Sequence, residues 1–190
     1  MKILIVEDDE GLREGLTELV SELGEAQGVS TAAEGLALLE REDFDLVLTD
    51  LIFEGSTLGG GNMICEAHER LIPVALITGS VEPESSDLRP DARVTKPFSL
   101  EEVLSLVERF KSLQERVSRT PASEARSVPV GKKCGLPARS GGLRLLEGEL
   151  RCGNESVLPE RYIFVSAAGV ARLEVIKPSR FVWHPLEGGA

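Results

Sequence analysis

The sequence predicts an α/β protein: a parallel five-stranded sheet with helices on both sides, then a basic linker and a small β-rich module. Two observations lead there. Five short apolar runs alternate with stretches of helical periodicity over the first 114 residues. Charge then divides the chain: residues 1–115 hold 9 Lys/Arg and 25 Asp/Glu, net −16, while residues 116–190 hold 12 and 7, net +5.

The first run, Lys2-Ile-Leu-Ile-Val-Glu7, reads as a buried strand closing on Glu7-Asp8-Asp9-Glu10. Leu12, Leu16, Leu19, Val20 and Leu23 then recur at helical spacing until Gly24, a C-cap residue. Residues 28–32 read as a weak second strand, and residues 33–41 as a second helix with Ala37 and Leu38 inward. Leu46-Val-Leu48 is a strand buried on both faces, and it runs out onto Asp50. Gly59-Gly-Gly-Asn62 opens a helix to about Arg70. Residues 73–78 form a run ending on the Thr78 hydroxyl, and residues 92–96 one ending on the Lys96 ammonium. Ser99-Leu-Glu-Glu102 has capping-box spacing ahead of Leu100, Val103, Leu104, Val107 and Phe110, one face of a last helix. Residues 115–142, rich in Ser, Pro, Gly, Arg and Lys, read as a flexible basic linker. Beyond it, strands are expected at 143–150, 162–167, 170–176 and 180–183.

Composition narrows the class. A hydrophobic share of 42% suffices for a core. No apolar run approaches the roughly 20 residues of a membrane span, and Met1 leads straight into a strand and acidic residues rather than a leader, so a cytoplasmic location is expected. Cys65, Cys134 and Cys152 fit no metal-ligand spacing and read as free thiols. The acidic first part disfavours nucleic acid as its own partner, because phosphate contacts need basic side chains.

Strand ends that gather Asp8, Asp9, Asp50, Thr78 and Lys96 suit one kind of chemistry. In an open α/β sheet, ligands bind beyond the carboxyl ends of the strands. Clustered carboxylates favour a shared hard cation such as Mg²⁺, which keeps several waters. An ionised Asp50 can serve as nucleophile without a general base, while a hydroxyl and an ammonium bind the oxygens of a transferred phosphoryl group. Singly, each residue has a plain structural reading: the acidic pair as a helix cap, Asp50 as a solvated strand end, Thr78 as a loop hydroxyl, Lys96 as half of a surface ion pair. Gly59-Gly-Gly is no nucleotide fingerprint, since no glycine pattern follows the first strand.

Val6-Glu7-Asp8-Asp9, Leu48-Thr49-Asp50, Ile77-Thr78-Gly79 and Lys96-Pro97-Phe98, in that order, give residues 1–114 a resemblance to the receiver domain of bacterial two-component response regulators. The resemblance implies a flavodoxin-like sheet of order 2-1-3-4-5. It also implies Asp50 as phosphoacceptor, Asp9 as a direct Mg²⁺ ligand with Asp8 acting through water, and the Ile52 carbonyl as a further ligand. Thr78 and Lys96 would hold the phosphoryl group, with a cis peptide before Pro97. A sensor histidine kinase or phosphotransfer protein would be the donor and a downstream protein the recipient of the signal.

The chain departs from that family in two places. The loop after Asp50 is longer and Gly-rich. Residues 79–93, with Pro83 and Pro90, leave too little room for two loops and an ordinary fourth helix of about 11 residues, so a shortened or missing helix is expected. Arg93 stands where the family carries its switch aromatic. Two other functions compete with the phosphorelay switch: a transcription regulator binding DNA through its basic C-terminal part, although no helix-turn-helix pattern is visible, and a pseudo-receiver scaffold. A metabolic enzyme is not expected, and slow self-dephosphorylation is the only turnover the resemblance implies.

Overall fold

A computed structural model describes residues 1–53, 59–79 and 89–187. The chain forms two compact units, one from residues 1–67 and 72–108 and a second from residues 68–71 and from Arg109 onward.

The first unit follows the expected alternation: β1 (Lys2–Val6), α1 (Glu10–Ser21), β2 (Glu25–Val29), α2 (Ala32–Leu39), β3 (Leu46–Thr49), α3 (Gly60–Glu69), β4 (Val74–Thr78), β5 (Ala92–Thr95) and the start of α4 (Leu100–Arg119). Its strands are all parallel, in the order β2-β1-β3-β4-β5. Side chains alternate between the faces of a strand. Leu4, Val6, Val47, Val74 and Leu76 therefore share one core with Ala32 and Leu39 of α2 and Met63 and Ile64 of α3. Ile3, Ile5, Leu46, Leu48, Ala75 and Ile77, the residues between them, are buried too, which is why these strands read as unbroken apolar runs.

One boundary and two buried faces differ from the sequence expectation. β2 starts at Glu25 rather than 28, because Gly24 brings the backbone hard against the first residue: a Cβ there would lie 2.3 Å from the Met1 carbonyl oxygen. The inward residues of α2 are Ala32, Gly35 and Leu39, not Ala37 and Leu38. On α4 the buried face is Val103, Leu106, Val107, Phe110, Leu113 and Val117, while Leu100, its first residue, is exposed. The shortened fourth helix expected before β5 falls on residues 80–88, outside the described residues.

Residues 115–142 are not a flexible linker. α4 runs to Arg119, a 3₁₀ turn spans Ala122–Glu124, and β6 (Arg126–Val128) pairs with the last strand. The helix continues because Phe110, Leu113 and Val117 extend its apolar stripe. β7 (Gly141–Cys152), β8 (Glu155–Val157), β9 (Tyr162–Val165), α5 (Ala167–Ala171) and β10 (Leu173–Pro185) complete the second unit. The two strands expected at 170–176 and 180–183 are thus a short helix and one 13-residue strand.

The second sheet is antiparallel, ordered β6-β10-β7-β8, with β9 also on β7. β7 and β10 pair almost end to end, with register shifts between Val175 and Phe181. Gly148, at φ +92°, sits where those shifts bring the backbones together: a Cβ would lie 2.2 Å from the Pro178 carbonyl oxygen. Leu143, Leu145, Ile163, Val165, Phe181 and Trp183 form the core of one face, and Cys134 with Leu136 of the preceding segment packs against it. On the other face Gly142 meets Leu113 and Val117, and Phe164 packs edge-on against Phe110 at 5.9 Å. Phe110→Ala removes a side chain that is 2% exposed, and chemical denaturation is expected to lose about 3–5 kcal/mol.

Candidate functional site

Three strands of the first unit end on charged side chains that meet. Backbone bonds carry the first two past their last paired residue: Glu7 donates its N–H to the Val29 carbonyl at 3.1 Å and Asp50 to that of Val6 at 3.2 Å. From the end of β5, Lys96 donates from Nζ to Asp50 Oδ2 at 2.7 Å and to Glu7 Oε2 at 2.9 Å. Asp50 Oδ1 accepts the Leu51 N–H at 2.5 Å and lies 3.4 Å from the Ile52 N–H. Both oxygens of the acceptor candidate are therefore oriented. Lys96 precedes a cis Pro97, and its N–H bonds the Thr78 carbonyl at 2.9 Å.

The backbone around Asp50 is held from the far side by α3. A Cβ on Gly60 would lie 2.1 Å from the Asp50 carbonyl oxygen, so glycine there is a steric requirement. The Gly60 N–H bonds the Leu51 carbonyl at 3.0 Å, and the Asn62 side chain accepts the Gly59 N–H at 3.1 Å. The Gly-rich stretch thus serves to bring a helix against a strand end.

The sequence-derived residues divide. Asp50 and Lys96 come together, and Thr78 closes β4 as a buried hydroxyl. Asp9 goes elsewhere: its carboxylate accepts the Leu12 N–H at 2.7 Å and is the N-cap of α1, pointed at the helix. Asp8 is exposed, with its backbone carbonyl 3.3 Å from an Arg13 guanidinium nitrogen. Ile52 is exposed and follows the Asp50 turn. The residue that sequence reasoning missed is Glu7, whose side chain is 3% exposed and touches Lys96. The signal was present: Asp9 directly precedes the first residue of α1, the cap position, which leaves the earlier acids to face the strand ends. Arg93 is exposed on β5.

Burial pushes the Glu7 carboxyl up, and the hydrogen bond and charge of Lys96 only partly offset this, with Asp50 adding repulsion. For Lys96, burial acts downward, but the hydrogen bonds to Asp50 and Glu7 outweigh it and hold the ammonium above the ordinary lysine range. Two carboxylates against one ammonium leave the pocket one charge short of neutral. Among the described residues, no three His, Cys, Asp or Glu side chains form a metal cage.

With this geometry in place, likeness to known proteins becomes informative. No family model matches the chain. The response regulator protein FleR of Pseudomonas aeruginosa is 32% identical over 164 residues, covering 81% of this chain and 34% of FleR. The transcriptional regulatory protein CiaR of Streptococcus pneumoniae is 32% identical over 109 residues, 54% of this chain and 48% of CiaR. Among solved structures, a CheY-like receiver domain from Methanospirillum hungatei matches with a TM-score of 0.53 and 28% identity, covering 58% of this chain and 94% of that one. The first unit has the fold of CheY-like response-regulator receiver domains. DrrB of Thermotoga maritima, an OmpR/PhoB homologue, matches with a TM-score of 0.52 and 27% identity over the same 58% of this chain and 52% of its own. The chain spans from 34% to 54% of the curated relatives it matches, and its C-terminal part is unassigned.

A carboxyl whose pKa is raised on folding, as that of Glu7 is, binds more protons folded than unfolded, so stability falls as pH rises from the ordinary carboxylate range through the raised value. Denaturation of wild type across that window is expected to show the decline, and Glu7→Gln to flatten it. Asp9→Ala is expected to lower stability by about 1 kcal/mol while Asp9→Asn, still a good cap, stays near wild type; circular dichroism melts check both.

Proposed function

We propose that this protein is a phosphorelay response regulator in which Asp50 accepts a phosphoryl group from the phosphohistidine of a sensor kinase or phosphotransfer protein. The observation that carries this reading is the Lys96 ammonium shared between Asp50 and Glu7 at the carboxyl ends of three parallel strands. Asp50 Oδ2 is the nucleophile. The new O–P bond forms as the P–N bond breaks, and the electron pair returns to the donor imidazole, which takes up a proton. Lys96, released from Asp50 Oδ2 by the modification, can pair with a phosphoryl oxygen. Thr78, closing the adjacent strand, is suited to donate to another.

The residues present fit a Mg²⁺ ion. Glu7 and Asp50 offer hard oxygen ligands, each with an oxygen on the same Lys96 nitrogen, and Mg²⁺ uses one or two carboxylates while retaining waters. We assign Glu7 and Asp50 to hold it, with Asp8 and the Ile52 carbonyl as further oxygens, and Asp9 is dropped from the set. Bound there, the cation would neutralise charge on the phosphoryl oxygens. The second unit is the output or a platform for a downstream protein, and a cytoplasmic site of action fits, since no described helix is long and apolar enough to cross a membrane. Nothing in the site calls for multiple turnover beyond slow hydrolysis of its own acyl phosphate.

A second reading has its own support. No Asp or Glu lies between Glu124 and Glu147, and Arg126, Lys132, Lys133 and Arg139 within that stretch are exposed, which suits a polyanion such as DNA. Mobility shift of random duplex DNA by the full chain, weakening steeply with salt, would favour it.

Incubation with acetyl phosphate and Mg²⁺ followed by mass spectrometry is expected to add one phosphoryl group to wild type and none to Asp50→Asn. An adduct that persists in the variant would move the acceptor, and none in wild type would make the unit a scaffold.

A further inference from the structure

Arg13 lies in the second turn of α1, yet its guanidinium turns back past the helix start. Its Nη1 donates to the Glu7 carbonyl at 2.9 Å and the Asp8 carbonyl at 3.3 Å. Those two peptides form the turn that carries Glu7 from β1 toward Lys96. The path of the Arg13 side chain is itself provided for by β2: a Cβ on Gly28 would lie 3.0 Å from Arg13 Cγ and 2.8 Å from Thr17 Oγ1. Thr17 in turn donates its hydroxyl to the Arg13 carbonyl at 2.7 Å, which fixes the turn of α1 from which the arginine departs. A glycine on one strand, a hydroxyl on the helix and a guanidinium on two carbonyls therefore form one connected device.

We infer that Arg13 is a positioning residue for the cation and phosphoryl site: by holding the Glu7 and Asp8 carbonyls it fixes the turn that presents the Glu7 carboxylate. This rests on the phosphoacceptor reading above. Arg13 works through the backbone, and its charge acts the other way, since a fixed cation near the site repels a second one. Position and charge thus predict opposite outcomes. If placement dominates, losing Arg13 weakens cation binding, as loss of a group that orients a metal ligand commonly does by about 10–100-fold. If charge dominates, losing it tightens binding.

The test uses the full chain and Mn²⁺ alone, read by water-proton relaxation, with unfolding curves confirming that each variant is folded. Arg13→Ala is expected to raise the Mn²⁺ dissociation constant by about tenfold or more, and Arg13→Lys, which restores a donor, to recover part of that loss. Gly28→Ala keeps the charge and obstructs the path, so it should weaken binding too, and should add little in the Arg13→Ala background because both act on one device. Mn²⁺ bound by Arg13→Ala as tightly as by wild type, or more tightly, overturns the inference while leaving the phosphoacceptor reading intact. Full additivity of the two substitutions also overturns it. Wild type that binds no Mn²⁺ and gains no phosphoryl group overturns the reading on which it rests.

Discussion

One ammonium group holds this site together. Lys96 Nζ stands between Glu7 and Asp50, both largely removed from water, and compensates two carboxylates that would otherwise repel each other across a short gap. Taking Lys96 away would leave both carboxylates without their shared partner. The parallel sheet makes the meeting unavoidable: β1, β3 and β5 run the same way, so their ends lie at one edge. The arrangement is also short of neutral by one positive charge, and the proposed cation site rests on that shortfall.

Around that centre the backbone is fixed from several directions. α3 is pressed against the Asp50 carbonyl through Gly60, and Asp9 spends its carboxylate on the first turn of α1. These contacts involve small or capping residues whose roles are geometric. They let the charged groups be few, because the turns that present them have little freedom left.

Much of this was legible in the sequence, for identifiable reasons. Strands buried on both faces leave unbroken apolar runs, so β1, β3 and β4 and their terminal Asp50 and Thr78 could be read directly, as could the Lys96-Pro97 step. Edge strand β2, Glu-Ala-Gln-Gly-Val, pairs on one side only and has no fully buried residue, so its pattern is weak and its start slipped. The acidic run from Glu7 to Glu10 hides a change of backbone direction within four residues: the strand claims Glu7, the helix cap claims Asp9, and composition alone cannot apportion them. In the second unit, Lys177-Pro-Ser179 interrupts an apolar pattern that the backbone nevertheless bridges with bulges, so one strand was read as two. The supposed linker failed differently: its order comes from β10, some 50 residues farther along, which local composition does not register.

That last strand has a consequence during synthesis. β10 lies between β6 and β7 and, among the described residues, is the only strand that pairs with β6, yet it follows both of them in the chain. The first unit can collapse as soon as β5 and the first turns of α4 have emerged, whereas β7 must wait with an open edge until residues 173–185 arrive. Nascent chains of this protein therefore pass through a stage with one finished unit and one unpaired sheet edge, the stage at which chaperone capture or mispairing between neighbouring chains is most favoured.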